Sequence, residues 1–279
     1  MWGRRFLGWV RTSRQAQPSR TSQAVALVRS GVPRPSSPEG DPGAQEALCR
    51  GMRPTAAYRL RPQIRARARF FDDQVIGAIS AGARQVVVCG AGYDDRALRF
   101  RTTGVRFFEL DHPATQADKA KRLRGIESGT AGLTLAAADF RTDDVAAVLS
   151  SCGHDAGRLS LFICEGLLVY LDQPTCDRLL VGLRARAALG STLAVSLAVH
   201  RAGASSDEVI AAANSRRPSG RREPWRTILP LDAHLALLGR AGWQVEQTVD
   251  AAELDGEAVP GRTLLVTASA AQAVEPPKN

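Results

Sequence analysis

The chain has 279 residues, 44% of them apolar, and a formal net charge of +9. That is enough for one α/β domain with a full core and some appendages, and no apolar run approaches the roughly 18 residues a membrane span needs. The five cysteines (Cys49, Cys89, Cys152, Cys164, Cys176) are odd in number and share no CxxC spacing, which suggests neither zinc nor a disulfide framework and points to a reducing compartment.

The basic charge is unevenly placed. Residues 1–70 hold 14 arginines against Glu39, Asp41 and Glu46, so residues 71–279 carry a net −2. A nucleic-acid footprint belongs on the folded body, and here the body is nearly neutral. Arginine outnumbers lysine 34 to 3, a skew that reads as the codon usage of a GC-rich bacterial genome. Residues 1–34 contain seven arginines and no acid, with Trp2, Phe6 and Trp9 on one helical face. That pattern fits a mitochondrial transit segment in a eukaryotic source. In a bacterial one it fits a disordered extension over residues 1–20, with the protein in the cytoplasm.

Pro33 to Gly43 reads as a turn-rich linker, and Arg61 to Ser80 as a helix. The chain then alternates. Strands are expected at Gln85–Cys89, Val105–Leu110, Leu133–Ala137, Leu159–Cys164 and Thr192–Ala198, and helices at Thr115–Arg124, Asp143–Ser150 and Gln173–Leu189. Such alternation predicts a parallel sheet covered on both faces. A helix at Leu231–Ala241 precedes two strands, Trp243–Val249 and Thr263–Ala268, which read as an antiparallel hairpin. Residues 201–226 form a lid-like insert rich in arginine (Arg216, Arg217, Arg221, Arg222, Arg226) beside Trp225, a candidate for recognising an acidic acceptor bidentately or simply a solvated loop. Residues 271–279 read as a tail.

The most informative stretch is QVVVCGAGYDDRALRF, residues 85–100. A buried strand runs into Gly90-Ala91-Gly92 and then a helix start, the parts of a nucleoside-cofactor site. A dinucleotide fingerprint wants a third glycine where Asp95 stands, and Asp94 and Asp95 oppose a pyrophosphate. A cationic cofactor without phosphate, such as S-adenosyl-L-methionine, suits this loop better than a nicotinamide dinucleotide. Later strands end in further candidates. Asp111, and less so Glu109, can accept hydrogen bonds from ribose hydroxyls, or Asp111 caps the helix begun at Pro113. Asp139 with Phe140 can read an adenine, or Asp139 caps the next helix. Glu165 follows an apolar strand, where an acid needs a cationic partner unless it lies in an exposed loop. Tyr170 lines the acceptor side or the core. No histidine among His112, His154, His200 and His234 stands out as a general base, and no metal-ligand spacing is present.

These blocks, with SQAVALVRSG, GDPGAQEAL, ARARFFDD, EGLLVYL, EPWR and LGRAGW, resemble the leucine carboxyl methyltransferase family, in particular its bacterial branch, from residue 21 to about 268. The resemblance implies a class I methyltransferase fold: one Rossmann-like domain over residues 21–270, its seven-stranded sheet mostly parallel and closed by the antiparallel C-terminal hairpin. It implies S-adenosyl-L-methionine as cofactor, with Arg67 clamping the methionine carboxylate, Gly90, Ala91 and Gly92 forming the loop, Asp111 on the ribose, Asp139 and Phe140 on the adenine, and Glu165 near the methionine end. The expected reaction is methyl transfer to a carboxylate or hydroxyl of a small molecule or peptide. Two features depart from the pattern: Asp95 replaces the usual Thr or Ser before Arg96, and Arg67 has Arg65 and Arg69 as rival clamps.

Overall fold

The computed structural model describes residues 17–53, 61–216, 223–255 and 262–270. Trp2, Phe6 and Trp9, the insert arginines Arg217, Arg221 and Arg222, and the tail lie outside the described residues. Seven strands form one sheet in the order β3-β2-β1-β4-β5-β7-β6. They are β1 (Gln85–Cys89), β2 (Arg106–Asp111), β3 (Leu133–Ala137), β4 (Ser160–Cys164), β5 (Thr192–Val199), β6 (Trp243–Asp250) and β7 (Arg262–Ala270). The first five pair in parallel, and β7 runs antiparallel between β5 and β6. The mostly parallel, seven-stranded sheet with an antiparallel C-terminal pair is borne out.

Ten helices are described: α1 (Arg20–Ser30), α2 (Ala44–Cys49), α3 (Arg61–Ser80), α4 (Arg96–Arg99), α5 (Pro113–Leu123), α6 (Val145–Ser151), α7 (Gln173–Ala185), α8 (Ser206–Ser215), α9 (Leu231–Arg240) and α10 (Ala251–Asp255). The central strands are buried on both faces, which is why β1 and β4 are unbroken apolar runs. Val87, Cys89, Phe162 and Cys164 share one core with Leu179 and Leu183 of α7, Leu237 of α9 and Trp243. Val86, Val88, Leu161 and Ile163 meet Phe70, Phe71 and Val75 of α3 on the other side.

Three expectations need correcting. α7 stops at Ala185 rather than Leu189, its end closed by the Arg186 amide on the Leu183 and Arg184 carbonyls, and Gly190, with a φ of +83°, turns the chain into β5. The N-terminal extension does not run to residue 20: the Ser19 hydroxyl accepts the Ser22 amide at 3.0 Å and α1 starts at Arg20. The insert is not all loop, since α8 occupies Ser206–Ser215. The Pro33–Gly43 linker is pinned to the domain, with the Ser37 and Asp41 amides donating to the Arg99 and Leu98 carbonyls at 3.0 and 3.1 Å.

No helix among the described residues is long and apolar enough to cross a membrane.

Candidate functional site

The carboxyl ends of β1, β2, β3 and β4 carry Gly90, Asp111, Asp139 and Glu165, so the sheet brings the sequence candidates to one edge. After β1 the chain turns on Gly90 and Gly92, with φ of +68° and +53°. A Cβ on Gly92 would stand 2.8 Å from the Ser22 Cβ of α1, and one on Gly90 would stand 3.0 Å from the Leu167 side chain. Only glycine meets both the backbone and the space requirement there.

The loop amides are largely committed. Gly90 and Ala91 donate to the Leu110 carbonyl at 2.8 and 3.1 Å, and Asp94 donates to Ala91 at 2.8 Å. The Gly92 amide donates to Asp111 Oδ2 at 2.7 Å, while Asp111 Oδ1 accepts its neighbour's amide, His112, at 2.7 Å. Burial pushes the Asp111 carboxyl up, and the Gly92 and His112 amides oppose that. The cap of α5 is His112, not Asp111: its Nδ1 accepts the Ala114 amide at 3.3 Å, with Pro113 at the first helical position. Asp111 is therefore spared for the loop. Glu109 faces the interior instead, paired with Lys119, whose Nζ also donates to the Asp94 carbonyl at 2.6 Å. Burial raises the Glu109 carboxyl to about 7 against the pull of Lys119.

At β3, Asp139 is held by Arg141: Oδ1 accepts from Nε at 3.0 Å and Oδ2 from Nη2 at 2.8 Å. The hydrogen bonds from Arg141 lower its pKa. The following helix is capped by Asp144, so Asp139 is not that cap. Phe140 is buried, and among the described residues its amide N–H finds no acceptor.

Glu165 is not an exposed loop acid. Its side chain is 3% exposed and meets three guanidiniums: Arg29 Nη2 at 2.7 Å, Arg96 Nη1 at 2.9 Å and Arg67 Nε at 3.3 Å. Burial alone would raise its pKa, but Arg29, Arg96 and Arg67 more than offset that and hold it at about 2. Of the three candidate clamps, the structure places Arg67 on Glu165 and leaves Arg69 exposed. The same ionic cluster takes in the two loop acids. Arg96 bonds Asp72 at 2.8 Å and Asp94 at 2.5 Å, and Arg29 reaches Asp94 at 3.4 Å. Asp95, the departure from the family pattern, lies between Arg34 (2.7 Å) and Arg99 (3.0 Å), so its carboxylate is matched inside the protein.

On the acceptor side, Tyr170 closes the 3-10 turn Leu168–Tyr170 and is half-buried. The end of the insert packs on that turn: the Arg226 amide donates to the Val169 carbonyl at 2.7 Å, and the Thr227 hydroxyl to the Leu171 carbonyl at 2.6 Å. Asn214 of α8 brackets Trp225 through both backbone groups at 2.8 and 2.9 Å. Glu223 accepts from the Thr21 amide at 3.1 Å, tying the insert to α1. The histidines are structural in setting. His154 and His234 are buried, with Nε2 on Ser160 and on the Ala198 carbonyl; burial lowers both, His154 to about 4. His200 is bonded at both ring nitrogens. No His/Cys/Asp/Glu group that could hold a metal occurs among the described residues.

Sequence reasoning missed Arg29, Arg34, Asp72 and Arg96. The one available signal was the buried acid Glu165, which demanded cations without saying from where.

Residues 26–184 match the family model described as leucine carboxyl methyltransferase. A protein of Streptomyces avermitilis, named by inference an S-adenosyl-L-methionine-dependent methyltransferase, is 30% identical over 84% of this chain and 78% of its own. One from Parafrankia sp. (strain EAN1pec) with the same kind of name is 33% identical over 71% of this chain. The chain spans 64% of that relative's length. Among solved structures, a DUF574 family protein from Streptomyces avermitilis MA-4680 superposes with a TM-score of 0.58 at 18% identity, covering 90% of this chain and 97% of that one. Magnesium protoporphyrin IX methyltransferase from Synechocystis PCC 6803, solved with bound S-adenosylhomocysteine, gives 0.52 at 13% identity over 81% and 92%. At these identities the likeness is one of fold.

Proposed function

Because the chain belongs to the leucine carboxyl methyltransferase family, we propose that it is an S-adenosyl-L-methionine-dependent O-methyltransferase, acting on a small molecule or peptide and on a carboxylate before a hydroxyl. The observation that carries this reading is the set of hydrogen-bonding groups at the sheet edge. Asp111 offers a carboxylate beside the glycine loop, the Phe140 amide is unspent, and the Nη atoms of Arg67 have no acceptor among the described residues. A ribose, an adenine ring and an amino-acid carboxylate match these groups in kind. A pyrophosphate does not: the amides of Gly90, Ala91, Gly92 and Asp94 are committed, and Asp94 and Asp95 are acids. That disfavours the nicotinamide alternative.

The cofactor supplies a methyl group already activated by its sulfonium charge, so the protein's part is alignment and exclusion of water. Holding reactants at attack geometry is worth roughly 7–11 kcal/mol. A carboxylate acceptor is ionised at neutral pH and needs no base. The settings of the four histidines support that choice: two are buried, His200 is bonded at both ring nitrogens, and His112 is committed through Nδ1 to a helix cap. The near-neutral body supports a small or peptide acceptor over nucleic acid. The free thiols fit a reducing compartment such as the cytoplasm.

Calorimetric titration with S-adenosyl-L-methionine tests the cofactor reading. Micromolar binding to the wild type, lost in Asp111→Ala and absent for NAD, is the expected result; binding of NAD instead overturns it. For a methylated product, release of methanol in mild alkali identifies an ester, whereas an alkali-stable methyl group overturns the carboxylate assignment.

A further inference from the structure

α1 lies outside the sheet, yet it touches the cofactor edge twice. Ser22 sits against Gly92, and Arg29, two turns on, enters the ionic cluster. Arg29 spends both of its Nη atoms there, one on Glu165 Oε2 at 2.7 Å and one on Asp94 Oδ2 at 3.4 Å. We propose that Arg29 is a positioning residue of the cofactor site, setting its amino-acid end through Glu165. This rests on the S-adenosyl-L-methionine reading above.

Glu165 has two oxygens and divides them. Arg29 and Arg96 share Oε2, which leaves Oε1 to hold Arg67 by Nε alone at 3.3 Å. Arg67 is thereby gripped at the base of its fork while the two Nη atoms are left over Gly166, 3.4 and 3.5 Å from where a Cβ would stand. A guanidinium so held presents two parallel donors, the arrangement that takes a carboxylate bidentately. If Arg29 is removed, Arg96 alone holds Glu165 Oε2, and the carboxylate, less restrained, can turn toward Arg67 and compete for its fork.

Charge points the same way. Asp72, Asp94, Asp95 and Glu165 are all buried, and among the described residues their ion-pair partners from α3 onward are Arg67, Arg96 and Arg99, Lys119 being paired with Glu109. Arg29 and Arg34, from the N-terminal segment, turn that deficit of positive charge into an excess. An anionic group approaching Arg67 is repelled by the cluster without them and attracted with them.

The test uses two ligands that differ only at the end in question. S-adenosylhomocysteine carries the amino-acid group, and 5′-methylthioadenosine carries the same nucleoside without it. Both are titrated calorimetrically into the full chain, wild type, Arg29→Met and Arg29→Lys. Positioning by Arg29 weakens S-adenosylhomocysteine by about tenfold or more in Arg29→Met, the scale of one charge-assisted hydrogen bond, with partial recovery in Arg29→Lys. Methylthioadenosine then stays within about twofold, a level set by the small differences expected of untouched sites. Equal weakening of both ligands means a merely structural role and overturns the proposal, as does no weakening of either. Should Arg29→Met not fold, Arg29→Lys carries the same comparison: selective loss supports the proposal, and equal loss or none overturns it. Wild-type protein that binds neither ligand overturns the cofactor reading itself.

Discussion

Replacing Arg96 by Met removes the hub of the buried cluster. The Arg96 side chain is fully buried and bonds Asp72 Oδ1 at 2.8 Å, Asp94 Oδ2 at 2.5 Å, Glu165 Oε2 at 2.9 Å and the Ala68 carbonyl at 3.3 Å. Breaking one buried pair costs about 3–5 kcal/mol when it strands a charge. Here no carboxylate is left wholly alone. Asp72 keeps Arg99 at 2.7 Å, Glu165 keeps Arg29 and Arg67, and Asp94 keeps Arg29 at 3.4 Å. Four guanidiniums then face four carboxylates, so the expected loss lies near the lower bound, about 3 kcal/mol. At about 2–4 °C per kcal/mol for a domain of this size, the melting temperature falls by on the order of 10 °C. The effect has a pH signature. Glu165 is held at about 2 in the fold against an ordinary 4.5, so it contributes about 3 kcal/mol that is present above pH 4.5 and lost as the pH falls toward 2. In Arg96→Met that folded pKa rises and less remains to be lost. Urea titrations at pH 7 and pH 3 should therefore show a gap between wild type and variant that narrows in acid. A loss below about 1 kcal/mol at pH 7, the range of an exposed pair, or a gap that does not narrow, refutes the view that Arg96 organises the cluster.

Gly92→Ala places a Cβ 2.8 Å from Ser22 on a residue with φ of +53°. It should destabilise by about 1–2 kcal/mol from backbone strain and by more from the contact. Adding Ser22→Gly should relieve only the contact, and a thermal melt of Gly92→Ala matching the wild type would contradict both. His154 lies between the Phe108 and Phe162 rings and is held at about 4 by burial against an ordinary 6.5. The fold keeps it neutral, so it contributes stability that is present above pH 6.5 and lost as the pH falls to about 4, roughly 3 kcal/mol. His154→Phe should flatten the stability profile between those pH values, and an unchanged slope would show that the ring takes up its proton in the fold as readily as in the unfolded chain.

The central strands β1 and β4 were legible in the sequence because burial on both faces writes an apolar run, and the outer strands through their β-branched and apolar residues between turn signals. Gln85–Cys89 and Leu133–Ala137 coincide with β1 and β3, and the others agree to within a residue or two. Asp111, Arg67 and Glu165 were nameable because strand carboxyl ends and family blocks single them out. The geometry of the cluster was not legible. Arg29 joins Glu165 across more than a hundred residues, and an ion pair of that span leaves no local pattern. In a chain with 34 arginines, a buried one looks like its neighbours. Asp95 illustrates the limit. It stands out in the sequence as a departure from the loop pattern, whereas Arg34, which accommodates it, is reached only through the fold. The helix in the insert went unseen because α8 has no buried residue, so its periodicity had no core to record.

The place of β7 in the sheet bears on how the chain comes off the ribosome. Among the described strands it is the last in sequence, yet it lies inside the sheet, with β5 on one side and β6 on the other. Every earlier strand is made before it, and until it arrives β5 offers an open ladder of backbone donors and acceptors. At about 5–20 residues per second, the stretch from β5 to β7 keeps that ladder uncovered for several seconds. An unpaired edge is a template for another chain, so translation that stalls between β5 and β7 should produce aggregates seeded on Thr192–Val199.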